Sequence, residues 1–110
     1  MDCAHHLPGH PKCGGVHGHT YQIDIELKDE LKLVPDQLHY EQGMVMDFGL
    51  IKEKLRVVLD KYDHKDLNLF LTTPTVENIA TMLYAEFKQE IPIVNMVTVH
   101  EGHNKWAKVQ

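Results

Sequence analysis

The stretch "TYQIDIEL", Thr20 to Leu27, alternates strictly between polar and apolar residues. Tyr21, Ile23, Ile25 and Leu27 fall on one side of an extended chain, and Thr20, Gln22, Asp24 and Glu26 on the other. A period of two with one apolar side marks a half-buried strand, here running from Val16 to Lys28. Such a strand needs sheet neighbours and an apolar layer over its inner side. The remaining chain supplies candidates for both. "MVMDF", Met44 to Phe48, is predicted as a short strand, and Ile51, Leu55, Val58, Leu59 and Tyr62 recur at helical spacing, predicting a helix over 49–61. A second helix begins at "TPTVEN", with Thr73 as N-cap, Pro74 at the first helical position and Glu77 in the first turn. Its inner face would be Ile79, Leu83 and Phe87. Val94 to Glu101 and "NKWAKV" read as further strands, while 6–15, 29–43 and "DHKDLNLFLTTP" read as connections. The order strand, strand, helix, helix, strand, strand describes an α+β domain occupying 1–110 as a single unit.

Composition narrows the class of function. Hydrophobic residues make up 43% and charged ones 25%, as in an ordinary globular chain. A net charge of -5 argues against nucleic-acid binding, which needs a basic surface. No apolar run approaches the roughly 18 residues of a membrane span, and the N-terminus lacks the charged and apolar regions of a secretory signal. Cys3 and Cys13 form no C-x-x-C pair, so free thiols in a reducing cytoplasm are expected.

Histidine is the unusual residue. His5, His6, His10, His17 and His19 crowd the first nineteen positions. His17 and His19 share the strand face of Tyr21 and Ile23, the face turned inward. Buried imidazoles need partners, so one reading is a pair of hydrogen-bonded core histidines. The other adds His5, which a glycine- and proline-rich loop could fold back. Three imidazoles with an open fourth position resemble a catalytic zinc site, and imidazole also suits copper, iron or nickel. Cys13 is then a fourth ligand, an inert small hydrophobe, or a thiolate nucleophile or base activated by nearby cations. Asp63 and His64 offer an acid-base pair or a solvated turn. Glu101 ends an apolar strand, and its two oxygens suit the paired N–H and NH₂ of a guanine or pterin edge.

"CAHHLPGHPKCGGVHGHTY", "MVMDFGLIK", "LDKYDHKDLN", "PTVENIA" and "VTVHE" occur in that order over nearly the whole chain. Together they resemble the 6-pyruvoyl-tetrahydropterin synthase / 6-carboxytetrahydropterin synthase family. The resemblance implies the tunnelling fold, an antiparallel sheet with two helices packed on one face, whose strands join those of neighbouring subunits in a barrel. It implies trimers or hexamers with active sites at subunit interfaces. It implies Zn2+ held by His5, His17 and His19, a catalytic Cys13, the pair Asp63 and His64, and a pterin-anchoring Glu101. His6 falls where the family varies. Three departures stand out. The first strand is nearly absent, Gly102 follows Glu101 where the family commonly has threonine, and Gly15 takes an often basic position. Lys12 and His10 remain as local phosphate candidates.

The expected substrate is 7,8-dihydroneopterin triphosphate. One branch of the family eliminates triphosphate to give 6-pyruvoyl-tetrahydropterin. The other cleaves the side chain, giving 6-carboxytetrahydropterin and acetaldehyde on the route to 7-deazaguanines such as queuosine. The short chain and the compact "KCGGVHGH" loop favour the second. Two rivals are a non-catalytic zinc or pterin-binding module and a structural zinc protein closed by Cys13.

Overall fold

The computed structural model describes residues 1–29 and 44–110, so most of the stretch expected as a long connection lies outside the described residues. Four strands and two helices follow in the order β1 (Asp2–His5), β2 (His17–Leu27), α1 (Phe48–Leu59), α2 (Val76–Glu90), β3 (Val94–Glu101) and β4 (Trp106–Val109). A short 3₁₀ turn, Leu67–Leu69, lies between the helices. The strands form one antiparallel sheet in the order β1-β2-β3-β4, and α2 packs across β3 and β4 with α1 beside it.

The period-two strand forms as expected. Tyr21 of β2 and Val97 and Val99 of β3 are buried against Ile79, Leu83 and Phe87 of α2. Burying each of those large side chains favours the fold by roughly 1.5–3 kcal/mol, which is why α2 settles on the sheet through that face.

Two expectations are corrected. Met44 to Phe48 forms no strand. Asp47 instead caps α1, its Oδ2 accepting the Leu50 N–H at 3.2 Å, so the helix begins at Phe48, and Met44, Val45 and Met46 line a cavity together with Ile23, Ile25 and Leu27. The sheet's remaining strand is the N-terminal stub β1. The second helix also starts later than expected, because Thr75 rather than Thr73 caps it, its hydroxyl accepting from Asn78 N–H at 3.2 Å. Had Pro74 been the first helical residue, its carbonyl would have accepted an intrahelical bond. The later start leaves that carbonyl free.

The stub is short, yet its outer edge is covered. His64 N–H donates to the Asp2 carbonyl at 2.6 Å and Ala4 N–H to the Lys65 carbonyl at 3.0 Å. Asp63 Oδ1 accepts from Asp2 N–H at 2.8 Å. Asn68 then imitates a strand with its side chain, accepting from His6 N–H at 2.9 Å and donating to the His6 carbonyl at 3.0 Å. A sheet edge with its hydrogen-bonding groups occupied cannot recruit another strand.

Candidate metal centre and its surroundings

The register of β1 on β2 pairs His5 directly with His17 and Cys3 with His19. Since side chains alternate across a strand, His5, His17 and His19 emerge on one face. Their nitrogen donors lie within 4.8 Å of one another, with ring centroids 4.6–4.9 Å apart and the planes steeply inclined. The pairing of two strand ends thus assembles what the sequence suggested from spacing.

The ring nitrogens are divided in a telling way. His5 Nδ1 donates to the freed Pro74 carbonyl at 2.9 Å, and His17 Nδ1 donates to the Gly15 carbonyl at 2.8 Å. A neutral imidazole with a proton on Nδ1 carries a lone pair on Nε2. The Nε2 atoms of His5 and His17 face each other at 3.0 Å, two lone pairs without a proton to share. The third ring adds a buried Nε2 on His19 with no hydrogen-bond partner. Glu101 Oε1 is 3.0 Å from it but is not aligned to accept. Burial holds the His19 imidazole below its ordinary pKa, with the Glu101 charge pulling the other way, so it too favours a lone pair. Such a set fits a metal cation. Two nitrogens bound to one tetrahedral zinc at about 2.0–2.1 Å stand roughly 3.3 Å apart. Hydrogen-bonded Nδ1 atoms on both rings are the arrangement that fixes metal-ligating histidines.

The other residues singled out from the sequence divide into two groups. Glu101 stands next to the cluster, because the β2–β3 register pairs it with Tyr21. Gly102 behind it has φ 79°, a left-handed conformation at which a threonine would be strained, so the hairpin into β4 accounts for that departure. Cys13 is half-buried and is not among the clustered donors. It lies in a loop stapled by His10, whose Nδ1 accepts the N–H of both Lys12 and Cys13 at 3.1 and 2.9 Å. Lys12 is exposed in that loop. Gly14 is required there, since a Cβ would stand 2.8 Å from the His10 carbonyl oxygen, whereas at Gly15 it would meet nothing. Packing therefore does not explain the missing basic residue at Gly15.

Asp63 and His64 form a second, exposed cluster with Asp2. His64 Nδ1 lies 3.1 Å from Asp63 Oδ2, and His64 adopts φ 61°. The Asp2 N–H, followed by His64, holds the Asp63 carboxyl below its ordinary pKa. This pair sits beside Asp2, whereas the Cys13 carbonyl accepts from Leu7 N–H beyond the other end of β1 at 2.7 Å. The three extended steps from Asp2 to His5 alone span roughly 10 Å. One chain does not bring Cys13 and His64 together.

Sequence reading missed the Pro74 carbonyl, Asn68 and the Tyr21 hydroxyl. Only Tyr21 had a signal, its place in alternation with the two histidines.

The profile of the family described as 6-pyruvoyl tetrahydropterin synthase matches residues 1–110. A relative from Archaeoglobus fulgidus, provisionally named a 6-carboxy-5,6,7,8-tetrahydropterin synthase, is 38% identical over 110 residues, 100% of this chain and 89% of its own length. The 6-carboxy-5,6,7,8-tetrahydropterin synthase of Synechocystis is 37% identical over 107 residues, covering 92% of this chain and 80% of its own. The dihydroneopterin monophosphate aldolase of Pyrococcus furiosus is 31% identical over 77 residues, covering 70% and 60%. Among solved structures, the 6-pyruvoyl tetrahydropterin synthase of Caenorhabditis elegans superposes with a TM-score of 0.85 at 24% identity, over 100% of this chain and 89% of its own. That likeness shows a shared fold.

Proposed function

The chain belongs to the 6-pyruvoyl tetrahydropterin synthase family, and from that premise we propose that it is a zinc-dependent 6-carboxy-5,6,7,8-tetrahydropterin synthase. It converts 7,8-dihydroneopterin triphosphate and water to 6-carboxytetrahydropterin, acetaldehyde and tripolyphosphate, a carbon–carbon lyase reaction. The observation that carries the metal part of this reading is the convergence of His5, His17 and His19, the Nε2 atoms of the first two face to face and that of His19 without a hydrogen-bond partner. The names of the Archaeoglobus and Synechocystis relatives support the carboxy branch.

In this reading His5, His17 and His19 hold Zn2+, which when bound supplies a Lewis acid for the side-chain oxygens of the substrate. Glu101 accepts the N–H and NH₂ edge of the pterin and fixes its orientation. Cys13 acts as the base that removes a side-chain proton, and His64, oriented by Asp63, exchanges protons with the reacting carbon chain. Lys12 meets the phosphate tail. The separation of Cys13 from Asp63 and His64 supports a homo-oligomer, trimer or hexamer, in which one subunit offers the cysteine and its neighbour the acid-base pair. The protein is assigned to the cytoplasm and to small-molecule chemistry. Among the described residues no helix is long and apolar enough to cross a membrane.

The test is product analysis by liquid chromatography and mass spectrometry on zinc-loaded protein offered dihydroneopterin triphosphate. Carboxytetrahydropterin with acetaldehyde supports the assignment, and pyruvoyl-tetrahydropterin with tripolyphosphate moves it to the other branch. The Pyrococcus relative's name makes dihydroneopterin monophosphate the second substrate to offer.

A further inference from the structure

We propose that Tyr21 is a positioning residue for the metal ligand His5, its hydroxyl and the Pro74 carbonyl together fixing the imidazole so that Nε2 faces His17 and His19. The inference rests on the reading of the three histidines as a metal site, and its test separates the two.

Tyr21 is 1% exposed and belongs to the buried core that also holds Val99 and Ile79. A phenol in such a place needs a polar partner, because an unpaired buried hydroxyl costs several kcal/mol in the least favourable case. Among the described residues the hydroxyl meets only the His5 ring, at 3.2 Å from Nδ1 and 3.5 Å from Nε2. Its own ring stands edge-on to His5 at 6.0 Å and is tilted against His19 at 5.6 Å. His5 is itself 2% exposed. The imidazole is therefore bounded by an acceptor at Pro74 and by a hydroxyl along its edge. A half-turn about its outer torsion would put Cδ2 in the place of Nδ1 and Cε1 in the place of Nε2, and break both contacts.

The hydroxyl has two ways to satisfy itself, and each matches one state of the site. Without metal it donates toward the Nε2 lone pair. With that lone pair bound to a cation, it accepts from Nδ1–H alongside the Pro74 carbonyl. Phenylalanine at this position keeps the shape and removes both options. His5 then keeps only the Pro74 bond to select its tautomer and orientation. Loss of such outer partners weakens metal binding by about ten- to a hundredfold in histidine sites.

The experiment compares the metal-stripped full chain with its Tyr21→Phe variant. Each is titrated with cobalt(II), read by visible absorption, and with zinc against a chromophoric chelator, while thermal unfolding is followed by circular dichroism. Zinc affinity falling by at least tenfold in Tyr21→Phe, with an altered cobalt spectrum, is the expected result. A lower unfolding temperature with unchanged affinity and spectrum would reduce Tyr21 to a packing residue and overturn the proposal. Wild-type chain that binds neither metal overturns the metal reading itself, which is a different outcome. A second measurement needs no variant. Nitrogen-15 NMR of the His5 ring in metal-free wild type should show the proton on Nδ1, and a proton on Nε2 would overturn the proposal.

Discussion

His5 Nε2 faces His17 Nε2 across 3.0 Å, and each ring is committed through its Nδ1 to a backbone carbonyl. Two lone pairs held together in this way repel, and a cation between them removes the repulsion. Zinc should therefore raise the unfolding temperature. At a hundredfold excess over its dissociation constant the added stability is about 2.7 kcal/mol. Chelation should reverse the shift without loss of far-ultraviolet circular dichroism, since Leu83, Phe87 and Val97 form a core without the metal. His17→Ala should abolish the shift. Unfolding on chelation would mark a structural zinc protein instead.

Cys13 and His64 hang off opposite ends of β1, and this predicts complementation between subunits. Cys13→Ala and His64→Ala should each lower kcat by roughly 10²–10⁴-fold. Mixed after denaturation and refolding, the two inactive variants should recover about a quarter of wild-type activity if each site draws on two copies arranged by symmetry. Equal mixtures that stay inactive would place both residues in one subunit's site.

Glu101→Gln exchanges a carboxylate for an amide of nearly the same shape and leaves only one acceptor oxygen. Charge-assisted hydrogen bonds contribute about 1.5–3 kcal/mol, so neopterin affinity, measured by fluorescence quenching, should fall by roughly ten- to a hundredfold. Zinc content should be unchanged.

Asp63 links acid sensitivity to the docking of β1. Its carboxyl is held below the ordinary value by the Asp2 N–H. A group whose folded pKa is depressed stabilises the fold above its unfolded pKa, about 3.9, and that stabilisation fades as pH falls through the lower folded value. Urea unfolding followed downward from neutral pH should show a shallower acid limb in Asp63→Asn than in wild type. Parallel curves would mean the contact is absent in solution.

Leu83 is fully buried under the sheet. Leu83→Ala should cost about 2–5 kcal/mol in unfolding free energy, read by denaturant titration, while the protein that remains folded binds zinc as before.

The elements with a period were legible in the sequence. β2 announced itself through Tyr21, Ile23 and Ile25, and α2 through Ile79, Leu83 and Phe87. β1 was not, because four residues carry too little pattern to distinguish strand from loop. "MVMDF" misled because a short apolar run suits a strand or the approach to a helix equally well. The carboxylate of Asp47 decides between them by capping. Thr73 and Thr75 are chemically identical as caps, and the choice fell to which hydroxyl reaches Asn78 N–H. At the site, His17 and His19 were found by spacing on one strand, and His5 through the loop that could fold it back. The contacts that orient them come from residues as distant as Pro74, and no local pattern encodes a free carbonyl.

The covered edge of β1 has a consequence for how copies of this chain can meet. With Asp63 to Asn68 saturating that edge, the backbone margins still open among the described residues are unlike. One is Ile23 to Leu27 of β2, past the point where Met1 pairs with Tyr21. The other is the far side of β4. A joint between the β2 margin of one copy and the β4 margin of another is heterologous, with no twofold axis across it. Copies joined in that way would follow one another head to tail and end either in a closed circle or in a filament that never closes. The twist between neighbouring strands, roughly 20–25°, decides how many copies complete the circle. A few hydrogen bonds along one short strand thus leave the β2 and β4 margins, among the described residues, as the places where copies of this chain could extend the sheet.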